Sequence, residues 1–200
     1  MFRNIRVITF DIVGTVLRFK EPPVAKYVEI AKDFGLKTNY DQVQKSFYYN
    51  WKIADEKHPH FGATTNISSM FWWINLVQET FRDVLKEDYK EEEVRAMANI
   101  LYGYYHSPKP YIVLEDSVET LHKLRNHQSK FQIGAISNFD NRLHDIIPSL
   151  GLKQYFDFII TSEDAKCSKP EAAIFDYASA RCHESAELLP SQFLHIGKDK

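Results

Sequence analysis

Asp11 stands where an apolar run ends: Val7, Ile8, Thr9 and Phe10 lead into it, and Gly14 and Thr15 follow. A carboxylate in that position can attack an electrophile, ligate a cation or simply cap a turn. Three further apolar runs also end on polar residues. Ser137 and Asn138 close AISN, Lys169 sits in the loop CSKP after the next run, and Gly197, Lys198 and Asp199 follow the last. A carboxylate, a hydroxyl, an ammonium and a glycine turn suit phosphoryl transfer. The carboxylate attacks phosphorus while hydroxyl and ammonium neutralise the oxygens that carry the charge. Gly14 lets the chain turn away tightly, and Thr15 offers a hydroxyl to the same loop. Taken singly, Asp11 is a turn acid, Ser137 a strand-end serine and Lys169 a solvated loop lysine. Their shared position at run ends is what raises them. Asp140 reads as a helix cap, His195 as structural and Cys167 as a packed thiol, and the eight histidines show no metal-ligand spacing.

These residues meet only if the runs lie side by side and parallel, because ligands of such sheets sit beyond the C-terminal strand ends. Residues 5–10, 131–136, 156–161 and 193–196 read as buried strands. Helical patterns separate the later runs. Asp116 with Glu119 predicts a capping pair ahead of Val118, Leu121 and Leu124. Asp140 precedes a helix carrying Leu143, Ile146, Ile147 and Leu150, which Gly151 ends. Pro170 predicts the first turn of a helix with Ile174, Tyr177 and Ala178 facing inward. The alternation predicts an α/β fold, a Rossmann-like doubly wound parallel sheet.

Residues 18–109 break the alternation, since four stretches there carry helical spacing. They are Val24 to Phe34, Val43 to Trp51, Met70 to Leu85, and Val94 to Tyr104. The expected organisation is a core of residues 1–17 plus 110–200, with 18–109 an all-helical insertion that closes over the strand ends as a cap. The aromatics FYYNW, FWW and YGYY in that insertion serve mainly as its packing.

Composition narrows the partners. Hydrophobic residues form 44% of the chain, enough for a packed core. Lys and Arg number 25 against 27 Asp and Glu, so no basic excess points to nucleic acid. Two cysteines without paired spacing read as reduced thiols. The N-terminal run is too short and interrupted for a signal peptide, and no stretch is long and apolar enough for a membrane span. A soluble protein of the cytosol, nucleus or both is expected.

The motif order FDxxGT, AISN, a Lys-Pro loop and HIG resembles the haloacid dehalogenase-like hydrolases over nearly the whole chain. FWW, SNFD and HIG look similar to the rhythmically expressed gene 2 subfamily within it. The resemblance implies a phosphatase acting on a small phosphorylated molecule. Asp11 is then the nucleophile, Ser137 the second-motif hydroxyl, and Lys169 the third-motif lysine. Thr15, Asn138 and Lys198 are the expected substrate contacts. Mg²⁺ is the implied cofactor, held by Asp11, the Val13 carbonyl and, after a one-residue slip, Asp199. The insertion looks like the family's C1 cap.

Two positions depart from that pattern. Phosphatases of the family carry a second Asp two residues after the nucleophile, where this chain has Val13, which transfers no proton. The fourth motif's Asp follows the glycine, where this chain has Lys198, and an ammonium does not ligate a hard cation. Against the family pattern the core reads as cut short at Lys200. Weak hydrolysis therefore competes with a non-catalytic relative that binds an anion or protein partner in the old cleft. A metal-free 2-haloacid dehalogenase is a third possibility.

Overall fold

The computed structural model describes residues 4–128, 131–182 and 188–197. By its internal contacts the chain divides into two compact units, Met1–Phe19 with Tyr111–Lys200, and Lys20–Pro110.

The first unit holds a four-stranded sheet, formed by β1 (Val7–Phe10), β4 (Gln132–Ser137), β5 (Phe158–Thr161) and β6 (Phe193–Ile196). The order is β5-β4-β1-β6 and every pairing is parallel. After β1 the chain moves outward through β4 and β5, then returns to the far side of β1. That reversal puts the topological switch point at the end of β1, where such sheets bind ligands.

Alternation along β4 sorts the two faces. Ile133 and Ala135 join Ile8 and Phe10 of β1 in a core that takes Leu121 from α5 (Glu115–Arg125) and Leu143, Ile146 and Ile147 from α6 (Leu143–Ser149). On the opposite face Ile136 and Ile160 pack against Ile174 and Ala178 of α8 (Ala172–Ser179). Helices cover both faces, as a doubly wound sheet requires. Gly134 is tied to that second face, because a Cβ there would meet the Phe158 ring at 2.1 Å.

Three local expectations need correction. An antiparallel pair, β2 (Leu17–Phe19) with β3 (Tyr111–Val113), flanks the helical segment where no strand was expected. Three residues are too few to show alternation. The predicted Asp116–Glu119 capping pair does not form, because β3 runs straight into α5 and the cap position falls on Leu114. Asp116 instead accepts from the Ser117 N–H at 2.9 Å, and Glu119 pairs with Lys123. Pro170 precedes the Glu171 cap of α8 rather than entering its first turn.

The second unit is helical: α1 (Pro23–Asp33), α2 (Tyr40–Lys57), α3 (Ser69–Leu85) and α4 (Glu91–His106). Asn39 and Ser68 cap α2 and α3 through their side chains. Tyr27, Val43, Trp72, Phe81, Met97 and Leu101 build its separate core. Its ends meet, since the Lys20 N–H donates to the Pro110 carbonyl at 2.8 Å. No helix among the described residues is long and apolar enough to cross a membrane.

Candidate active site

Asp11 follows the last paired residue of β1, Phe10, which lies opposite Ala135 on one side and Ile196 on the other. Its N–H donates to the Ile196 carbonyl at 2.8 Å, so the backbone is fixed as the side chain leaves the sheet edge. The chain then turns tightly: the N–H groups of Val16 and Leu17 both donate to the Ile12 carbonyl, and Gly14 sits at φ 96°, a conformation suited to glycine. Gly197 at the end of β6 serves a different need. A Cβ on it would lie 3.3 Å from the Asp11 Cβ and 3.5 Å from His195 Nε2, so a larger residue would press on Asp11 by a few tenths of an ångström.

Lys169 enters from the loop between β5 and α8. Its Nζ donates to Asp11 Oδ1 at 2.5 Å and to the Ile136 carbonyl at 2.8 Å. The two side chains are 16% and 21% exposed, sheltered enough to strengthen the pairing. Ser137 ends β4 two positions past Ala135, the register partner of Phe10, and is buried. The structure thus brings Asp11, Ser137 and Lys169 to one edge of the sheet.

The other expected residues have different surroundings. Val13 is half-buried and packs against the apolar core beneath the loop. The Thr15 hydroxyl oxygen is buried with no hydrogen-bond partner, and its carbonyl accepts from the Ser117 hydroxyl at 2.6 Å. Asn138, expected on the substrate, has its amide engaged with the Lys169 backbone on both sides. Lys198 and Asp199 lie outside the described residues.

Sequence reading missed how firmly the turn after β4 is held. Asp140, expected as a cap, is fully buried and pairs with Arg142 through two oxygens, at 2.8 and 2.7 Å, while also accepting the Arg142 N–H at 3.0 Å. Glu163 accepts the Asn141 N–H at 2.7 Å, and the Thr161 hydroxyl donates to Asn141 Oδ1 at 2.7 Å. The density of polar residues in SNFDNR was the available signal. Below the site, burial pushes the His195 imidazole's pKa down and the Lys169 ammonium adds to the effect, which favours the neutral ring. His195 Nδ1 lies 2.9 Å from the Thr9 hydroxyl, and Phe175 packs edge-on against the ring.

Two oxygen donors belong to this loop, the Asp11 carboxylate and the Val13 carbonyl. They are the hard type that Mg²⁺ takes, commonly with one or two carboxylates, waters and substrate phosphate completing the set. Among the described residues no group of three or more His, Cys, Asp or Glu side chains is placed to hold a metal.

The family model described as haloacid dehalogenase-like hydrolase matches residues 5–197. The chain is 33% identical to haloacid dehalogenase-like hydrolase domain-containing protein 3 of Bos taurus, covering 97% of this chain and 74% of the relative. It is also 33% identical to the rhythmically expressed gene 2 protein of Drosophila melanogaster, covering 96% and 75%. Among solved structures, a magnesium-bound HAD-hydrolase from Bacillus subtilis superposes with a TM-score of 0.65 at 18% identity, over 98% of this chain and 81% of that one. A 2-haloacid dehalogenase from Pseudomonas syringae gives a TM-score of 0.64 at 19% identity, over 98% and 78%. At those identities the structural likeness speaks for the fold.

Proposed function

This chain belongs to the haloacid dehalogenase-like hydrolases, and we propose that within the family it hydrolyses a small phosphorylated molecule through Asp11, at a low rate. The observation that carries the reading is the Lys169 ammonium on Asp11 Oδ1, at the end of the strand where the sheet's connections reverse. An Asp11 oxygen attacks phosphorus, the bond from phosphorus to the leaving oxygen breaks, and that oxygen departs with the electron pair. Lys169 and the Ser137 hydroxyl offset charge on the phosphoryl oxygens. Water then attacks the aspartyl phosphate, restoring the carboxylate and releasing phosphate, with its proton passing to solvent. Mg²⁺, where bound, would be held by Asp11 and the Val13 carbonyl, with Asp199 a further candidate, and would neutralise phosphoryl charge.

Val13 is the reason for the low rate. A positioned acid and base contribute typically ~10²–10⁴ in rate, and an isopropyl group supplies neither. The same residue favours a second reading, in which the cleft binds an anion or protein partner without turnover, because the half-buried Val13 side chain lies against the core and offers no proton.

Hydrolysis of an aryl phosphate separates the two. Turnover in the wild type that Asp11→Asn abolishes and Lys169→Ala lowers to a small residual rate supports the enzyme. Equal, background rates in wild type and Asp11→Asn, with inorganic phosphate still bound by calorimetry, support the binding protein.

A further inference from the structure

Asn138 and Lys169 stand 31 positions apart in sequence and are tied by two reciprocal bonds. Asn138 Oδ1 accepts the Lys169 N–H at 2.8 Å, and Asn138 Nδ2 donates to the Lys169 carbonyl at 2.9 Å. The lysine side chain then comes back to β4, the strand just ahead of Asn138, where Nζ reaches the Ile136 carbonyl and, beyond it, Asp11. The result is a closed ring: β4 holds the lysine backbone through Asn138, and the lysine ammonium holds β4 and the carboxylate.

We propose that Asn138 is a positioning residue that acts on Asp11 through Lys169, and that it does not contact the substrate. A primary amide is the group this task needs, since it presents one acceptor and one donor side by side to the N–H and the carbonyl of one residue. A carboxylate in its place would set oxygen against the Lys169 carbonyl. A lysine has a long, flexible stem, so a fixed backbone is what makes its ammonium return to one place. The turn that carries Asn138 is itself rigid. Phe139 accepts from the Ser162 hydroxyl at 3.1 Å, Asp140 is paired with Arg142, and Asn141 is bonded to Glu163 and Thr161. Asn138 passes that rigidity to the Lys169 loop.

The test has a geometric arm, and a kinetic arm that rests on the phosphatase reading. In a crystal structure of Asn138→Ala, the Lys169 ammonium is expected to leave Asp11. Kinetically, Asn138→Ala should lower kcat for an aryl phosphate by about tenfold or more with KM nearly unchanged. In a Lys169→Ala background the same change should alter kcat less than about twofold, the non-additivity expected of residues acting as one unit. Asn138→Asp, which keeps the acceptor and loses the donor, should resemble Asn138→Ala and serves in both arms if the alanine variant does not fold. A merely structural role predicts equal losses in both backgrounds, tracking loss of thermal stability. Multiplicative losses with a raised KM would mean direct substrate contact. Either result, or a variant crystal structure with Lys169 still on Asp11, overturns the proposal. If the wild type shows no Asp11-dependent hydrolysis, the phosphatase reading falls, and the crystal comparison alone decides the role of Asn138.

Discussion

Val13, half-buried two residues past Asp11, has no proton to give a departing alkoxide, so on the proposed phosphatase reading the residue scale decides which leaving groups can depart. Esters whose alcohol is already acidic need no donor, whereas alkyl phosphates do. Across a series of aryl phosphates, the wild-type kcat/KM should therefore fall steeply as the leaving-group pKa rises. Val13→Asp should flatten that slope and raise the rate for the poorest leaving groups by ~10²–10⁴, the usual worth of general acid catalysis. A slope unchanged by the substitution in a folded protein would show that proton transfer at this position is not what limits the rate. Asp11, Ser137 and Lys169 could be picked out from sequence because each follows an apolar run, and strand ends of a parallel sheet converge. The task of Asn138 could not, because a side chain clasping a backbone 31 positions away leaves no periodic trace.

At the scale of elements, the turn after β4 and the helix that follows β5 depend on one another. The short helix α7 (Ser162–Ala165) opens with a capping box, Thr161 accepting from the Asp164 N–H and Asp164 accepting from the Thr161 N–H. Asp164 also hydrogen-bonds His144 of α6 at 2.8 Å. That bond is the main cause that raises the His144 pKa. Burial pushes the Asp164 carboxyl upward, but the bonds from His144 and Thr161 outweigh it and its pKa is lowered. The signs define a window. The histidine's share of stability is complete below its unfolded pKa of about 6.5 and is lost as pH rises through the higher folded value. The aspartate's share is complete above its unfolded pKa and is lost as pH falls through the lower folded value. His144→Gln should therefore remove a decline in thermal stability just above pH 6.5, with a loss under about 1 kcal/mol because the pair is solvent-screened. A wild-type melting temperature that stays level across that range would count against the pairing. Elements with long or strongly apolar patterns were readable: the four sheet strands and the helices over residues 23–33, 40–57, 69–85 and 91–106. Those missed were set by context. β2 and β3 are three residues each and exist by pairing with one another, and α7 exists because Thr161 and Asp164 close its first turn.

For the whole molecule, the two units hold separate cores. The cluster around Trp72, Phe81 and Met97 lies within residues 20–110, while the two clusters flanking the sheet lie outside that range. Each unit therefore buries its own apolar surface, the dominant favourable contribution to folding. The junction is built to match. In the first unit β2 and β3 pair antiparallel up to Phe19 opposite Tyr111, whose rings lie 5.3 Å apart, and in the second the Lys20 N–H donates to the Pro110 carbonyl. The chain leaves and re-enters the first unit at neighbouring points, as at the open end of a hairpin. Replacing residues 20–110 with Asn-Gly, which favours a two-residue turn between antiparallel strands, should close that hairpin and leave a sheet domain that unfolds cooperatively. The excised segment, made alone, should keep a helical circular dichroism spectrum and its own melting transition, since Asn39 and Ser68 cap two of its helices from within. Asp11, Ser137, Asn138 and Lys169 all lie in the retained part, so the contact of Lys169 with Asp11 should survive there in a crystal structure. If both pieces are unfolded although the intact chain is stable, the units depend on each other for their cores. The insertion would then be a structural part of the sheet domain rather than a module set into its first loop.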